Sequence, residues 1–174
     1  MKTIVLVLAL LSVTSFVASA EPLTAEQMLA PAKAKAAAEQ KAIFLHFGAS
    51  WCGWCKRLDA FLDRPDIKPV FEKYFIPVKL VVQESAKNKA LENPGADSLR
   101  QQLGGATAGL PYFAFLDEKG EMIANSMLNG SNIGYPGEPN EIDYFLQMMK
   151  KAAPKMDDGD LKTIEAALRS FKRS

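Results

Sequence analysis

The sequence predicts an α/β domain in which strands and helices alternate. Two stretches carry that prediction. The continuous apolar run Ala42–Gly48, a tight turn and the helical segment at 56–62 read as strand, turn and helix. Farther on, the apolar run 111–116, the turn 117–120 and the return 121–128 read as a hairpin, with two amphipathic helices after it. With 174 residues, 48% hydrophobic and 24% charged, the chain suits one globular domain with its own core.

Residues 1–20 stand apart from that domain. Lys2 is a short positive start, residues 4–11 are apolar, and Ala18-Ser19-Ala20 is a small-residue cleavage pattern, so the segment reads as a secretory signal removed before Glu21. A membrane anchor fits less well, because the apolar run is short and Ser12, Thr14 and Ser15 interrupt the residues after it. No stable membrane insertion is expected once the signal is gone. Its loss removes Lys2 and no acid, so the 21 basic residues become 20, equal to the 20 acidic ones. A chain without net formal charge has no global field to draw nucleic acid or anionic lipid, and no nucleic-acid partner is expected.

Residues 24–41 are rich in alanine and lysine, and Thr24 with Gln27 forms a capping box. A solvated helix on the domain's edge is expected there, restarting after Pro31. Ala42–Gly48 is apolar throughout, as expected of a central strand covered on both faces. Helix is expected at 52–62, broken by Arg64-Pro65-Asp66, with Asp66 capping a short helix through Tyr74. At 75–82, Ile76, Val78, Leu80 and Val82 alternate with Pro77, Lys79 and Val81, which reads as a strand.

Residues 83–109 are polar and too long for a bare connection. Asp97 or Ser98 is expected to cap a helix there, ended by Gly104-Gly105. After the hairpin come a Gly/Pro-rich loop at 129–139 and a helix at 138–151 with Ile142, Phe145, Leu146 and Met149 on one face. A final helix at 157–172 carries the stripe Leu161, Ile164, Leu168 and Phe171, expected to pack on its own domain.

The chemistry sits in Trp51-Cys52-Gly53-Trp54-Cys55-Lys56, which holds both cysteines of the chain. A zinc site would need two more ligands, and only His46 is on offer beyond carboxylates. Covalent haem attachment would need a histidine where Lys56 stands. A purely structural disulfide gains little from closing so short a loop. A redox-active pair fits best, because a thiol at a helix start sees unpaired N–H groups and the positive end of the helix dipole, and both favour the thiolate. An exported chain large enough to fold unstapled, with one close cysteine pair, points the same way. No cofactor and no metal are called for.

Trp-Cys-Gly-Trp-Cys-Lys after a buried strand resembles the thioredoxin active site. Gly109-Leu110-Pro111 opening the hairpin resembles that superfamily's cis-proline segment. Asp63-Arg64-Pro65-Asp66 resembles the thioredoxin-like domains of bacterial envelope thiol-disulfide interchange proteins. The resemblance implies a thioredoxin-like fold, with a central mixed β-sheet flanked by helices and an extra C-terminal helix. The domain would span 42–174, with an N-terminal helical segment at 21–41, an insertion at 83–109 and the added helix at 157–172.

It also implies roles. Cys52 would attack and Cys55 would resolve. Pro111 would be cis, and the backbone of Leu110 would pair with an extended substrate segment. Protein disulfides would be the substrates, a membrane-embedded reductase a candidate donor, and the periplasm or the exterior the location. Trp51 is expected to pack beside the site and Trp54 to offer an exposed apolar platform. Trp54 replaces the proline of thioredoxin or the histidine of the isomerases. It lends no cation to Cys52, so the couple is expected in the reducing half of the roughly −270 to −120 mV range. His46 stands where thioredoxin has a buried acid thought to take the resolving thiol's proton. It could serve likewise, or be a buried neutral histidine bonded to backbone or water. A competing function is a peptide-gripping, chaperone-like module whose disulfide is structural.

Overall fold

The computed structural model describes residues 21–170. The expected signal at 1–20 and Phe171 of the last stripe lie outside the described residues. The helices are α1 (Ala25–Glu39), α2 (Gly53–Leu62), α3 (Lys68–Glu72), α4 (Ala96–Arg100), α5 (Pro139–Ala152) and α6 (Asp158–Ser170). The strands are β1 (Ala42–Gly48), β2 (Phe75–Val81), β3 (Tyr112–Leu116), β4 (Met122–Asn125), β5 (Met127–Leu128) and β6 (Ser131–Asn132). The main sheet runs β2-β1-β3-β4. β1 pairs parallel with β2 and antiparallel with β3, which pairs antiparallel with β4, so the sheet is mixed as expected.

Alternation along the strands feeds two cores. On one face Phe44 meets Phe71, Phe113, Phe115 and Phe145 with ring centroids 5.1–6.2 Å apart, under Leu58 and Phe61 of α2, Ile142 of α5 and Ile164 and Leu168 of α6. Ile43, Leu45 and Phe47 face the other core, with Ile76, Val78 and Leu80 of β2, Leu29, Ala32 and Ala36 of α1, and Ala96 of α4. The α6 stripe therefore packs on its own domain, as its periodicity predicted, and Tyr74 and Lys73 fasten it through Asp160.

Four local expectations are corrected. α1 runs through Pro31 without restarting, and the capping box at Thr24 and Gln27 is present. Asp66 caps nothing: Arg64 takes its carboxylate with both Nε and Nη2, and the N-cap of α3 is Ile67, with no side-chain cap bond. Asp97 lies inside α4 and accepts from Arg100 and Gln101, which leaves Gly95, at φ +81°, as the N-cap. The segment ends at Gly104 as expected, where φ is +90°.

The fourth correction concerns the return strand 121–128, which divides at Ser126. Buried Ser126 donates its amide to Phe113 O at 2.9 Å and accepts from Phe113 N at Oγ, 3.1 Å. The chain then leaves the main sheet, and β5, the end of the expected return strand, pairs with β6 inside the expected loop as a separate hairpin.

Candidate functional site

β1 delivers the cysteines. It ends at Gly48, where an added Cβ would stand 3.2 Å from Cys55 Cβ and 3.3 Å from Cys55 Sγ. A side chain there would make Cys55 give by a few tenths of an ångström, so glycine suits this close approach of the strand to the second cysteine. Cys52 is the N-cap of α2, and its Sγ accepts from Cys55 N at 3.1 Å. The two form a disulfide with a Cα separation of 5.3 Å. β3 delivers the other wall. Its register with β1, Phe47 opposite Tyr112, brings the Leu110-Pro111 segment to the same end of the sheet, and the Leu110–Pro111 bond is cis as expected.

Leu110 packs against Ala49, Cys52 and Cys55. Cys55 is only 1% exposed, as expected of a resolving thiol, but Cys52 is also nearly covered, at 4%. Both cysteines are thus covered in this disulfide-bonded state. Trp51 departs from its expected packing and is the more exposed indole, 58% against 42% for Trp54. Its Nε1 donates to Gln83 O at 2.8 Å, which holds the ring on the surface of the turn. Trp54 instead stacks on Tyr135, 6.1 Å between centroids, with the Arg57 guanidinium over both rings.

The start of the segment 83–109 braces the turn. Ser50 donates its amide and its hydroxyl to the Glu84 carboxylate, and these bonds hold that carboxyl below the usual carboxylate range. Asn88 donates to Ser50 Oγ at 3.2 Å. Behind the disulfide, His46 lies two positions before Gly48 on the same face of β1, about 7 Å along the strand. It is 4% exposed, and among the described residues its Nδ1 makes no hydrogen bond. Asp59 Oδ1 is 3.8 Å from that nitrogen, too long for one. Asp59 Oδ2 accepts from Lys79, which pairs with His46 in the β1–β2 register.

Burial pushes the His46 pKa down to about 4, against the opposing pull of Asp59, so the imidazole is neutral at neutral pH. Sequence reasoning named His46 but missed Asp59 and Lys79. Asp59 was findable one helical turn after Cys55 on the same face. Glu84 and Asn88 gave no local signal, since their partner Ser50 is more than 30 residues away. Among the described residues, no group of three or more His, Cys, Asp and Glu side chains could hold a metal ion.

The model of a family described as thioredoxin-like matches residues 24–118. The chain belongs to the thioredoxin-like family. One solved structure agrees on the fold. A disulphide isomerase from Xylella fastidiosa Temecula1 aligns at 22% identity and a TM-score of 0.51, covering 86% of this chain and 94% of that one. The DsbH oxidoreductase aligns at 19% identity and a TM-score of 0.47, over 82% and 94% of the two chains. The oxidised C-terminal domain of DsbD from Neisseria meningitidis aligns at 20% and 0.45, over 74% and 99%. No curated protein matches the chain by sequence. The thioredoxin-like fold with its joined CxxC pair is of the thiol-disulfide oxidoreductase kind.

The buried histidine makes stability depend on pH. The His46 pKa is lower folded than unfolded, so the unfolded chain takes up a proton first as pH falls, and stability is lost between about 6.5 and 4. Urea unfolding of the oxidised protein at pH 7, 6 and 5 is expected to give a falling midpoint, with a flatter trend in His46→Leu. Parallel trends in the two proteins would remove the assignment.

Proposed function

We propose that this protein is an exported thiol-disulfide oxidoreductase that reduces protein disulfides. The observation that carries the reading is the Cys52–Cys55 disulfide at the start of α2, packed against Leu110 of the proline-led segment in a thioredoxin-like chain. Residues 1–20 would direct export to the periplasm or the exterior. Among the described residues no helix is long and apolar enough to cross a membrane.

In the proposed cycle the reduced Cys52 thiolate attacks one sulfur of a substrate disulfide. That bond breaks, one substrate thiolate leaves, and a mixed disulfide forms through Cys52. The Cys55 thiolate then attacks Cys52 Sγ and expels the second substrate thiolate. Two electrons have passed to the substrate, and the protein is left as the Cys52–Cys55 disulfide. An upstream dithiol donor, for which a membrane-embedded reductase is a candidate, must return two electrons. Trp51 and Trp54 would offer apolar surface to the substrate, while the Leu110 backbone takes its extended segment.

Cys55 must lose its proton before it can resolve the mixed disulfide. His46 is assigned as the relay for that proton, with Asp59 one turn below Cys55 sharing it. A neutral imidazole with an unbonded Nδ1 can accept. A second reading draws on the coverage of Cys52, at 4% exposure. In it the disulfide is static, and the groove at Leu110 and Pro111 grips extended peptides as a chaperone would.

Two experiments probe the cycle. Cys55→Ala is expected to accumulate mixed disulfides through Cys52 on non-reducing gels, and Cys52→Ala/Cys55→Ala none. If Cys55→Ala captures nothing from a periplasmic extract or from a model disulfide, the oxidoreductase reading fails. In stopped-flow traces His46→Leu is expected to slow release from the mixed disulfide severalfold with initial attack nearly unchanged. Equal release rates would take the relay role from His46.

A further inference from the structure

The β5–β6 hairpin reaches back to the site through one side chain. Asn132 Nδ2 donates to Gly109 O at 2.7 Å and to Pro111 O at 3.0 Å, and its Oδ1 accepts from Gly134 N at 3.3 Å. The orientation of this amide is set by chemistry. Two carbonyl oxygens face it and neither can donate, so the NH2 end must point at them.

The two held carbonyls flank Leu110. Gly109 O belongs to the same planar peptide unit as the Leu110 N–H, and in a trans peptide the two point in opposite directions. Drawing Gly109 O toward Asn132 therefore turns the Leu110 N–H away from it. Among the described residues neither the N–H nor the C=O of Leu110 has a hydrogen-bond partner, while its side chain lies on Cys52. The result is a short strand edge beside the disulfide, with its direction fixed from behind.

We propose that Asn132 is a positioning residue that aims this edge, and so favours disulfides carried on extended polypeptide over small-molecule disulfides. The proposal rests on the oxidoreductase reading above. An extended segment must pair with the Leu110 backbone, and misaimed groups weaken that pairing. A small disulfide needs only to bring its sulfur to Cys52. No covalent step is altered, and the electron count of the cycle is unchanged.

The test compares wild type, Asn132→Ala and Asn132→Asp. Asn132→Asp keeps the acceptor for Gly134 and loses both donors. Turnover is measured with a synthetic peptide bearing one intramolecular disulfide and with 5,5′-dithiobis(2-nitrobenzoic acid). Both variants are expected to raise the peptide KM about tenfold, the value of roughly one hydrogen bond. The peptide kcat, the rate with the small disulfide and the redox potential should stay near wild type.

An unchanged peptide KM, or equal losses on both substrates, overturns the proposal. Calorimetry of the oxidised proteins with a serine-substituted peptide reads the edge without chemistry. Weaker binding by the variants there supports Asn132 even if wild type proves inactive, and equal binding overturns it. Failure of the oxidoreductase reading appears separately, as a wild type that turns over neither disulfide.

Discussion

The pairing of β1 with β3 is the constraint on which the site depends. The cysteine turn and the proline-led segment are nearly 60 residues apart in the chain, and neither is complete alone. Antiparallel pairing of Phe47 with Tyr112 brings the end of one strand beside the start of the other. The register is held by burial, since Phe44, Phe113 and Phe115 must face one core while Ile43, Leu45 and Phe47 face the other. A slip of one residue would turn each set to the wrong face. Gly48 completes the arrangement by letting Cys55 rest against the strand.

Around this frame the polar contacts divide by direction. Glu84 and Gln83 hold the turn before Cys52 from one side, through Ser50 and Trp51. Asn132 holds Gly109 and Pro111 from another. The end of the segment 83–109 is braced by buried Arg100, which donates to the carbonyls of Gly105 and Ala108. The stretch 83–109 thus links the two walls of the site as well as joining β2 to β3. Beneath them, Lys79 pairs with Asp59 beside His46, whose buried imidazole is neutral.

The fold was legible wherever one physical requirement dominated a stretch. Ala42–Gly48 is buried on both faces, and its apolar run says so. The 3.6-residue stripe of the last helix predicted its packing, and the Thr24 and Gln27 pair marked the start of the first. Reading failed where a side chain had two partners to choose from. Asp66 and Asp97 both look like caps, but each found an arginine close by, and a charge-assisted pair displaced the cap. Ser126 divided the return strand through bonds to Phe113, 13 residues away, which no local pattern displays. The two cysteines and Pro111 announced themselves by motif. Asn132 did not, because its role comes from carbonyls more than 20 residues distant.

The reduction potential of the Cys52/Cys55 couple tests the central claim most directly, because a working pair and a static bond occupy different parts of one scale. Trp54 brings no charge to the turn, and the Arg57 guanidinium lies over the rings of Trp54 and Tyr135. Equilibration against glutathione or dithiothreitol, read by tryptophan fluorescence, is expected to give roughly −270 to −200 mV. A value well below about −300 mV, the range of structural disulfides, would contradict the account.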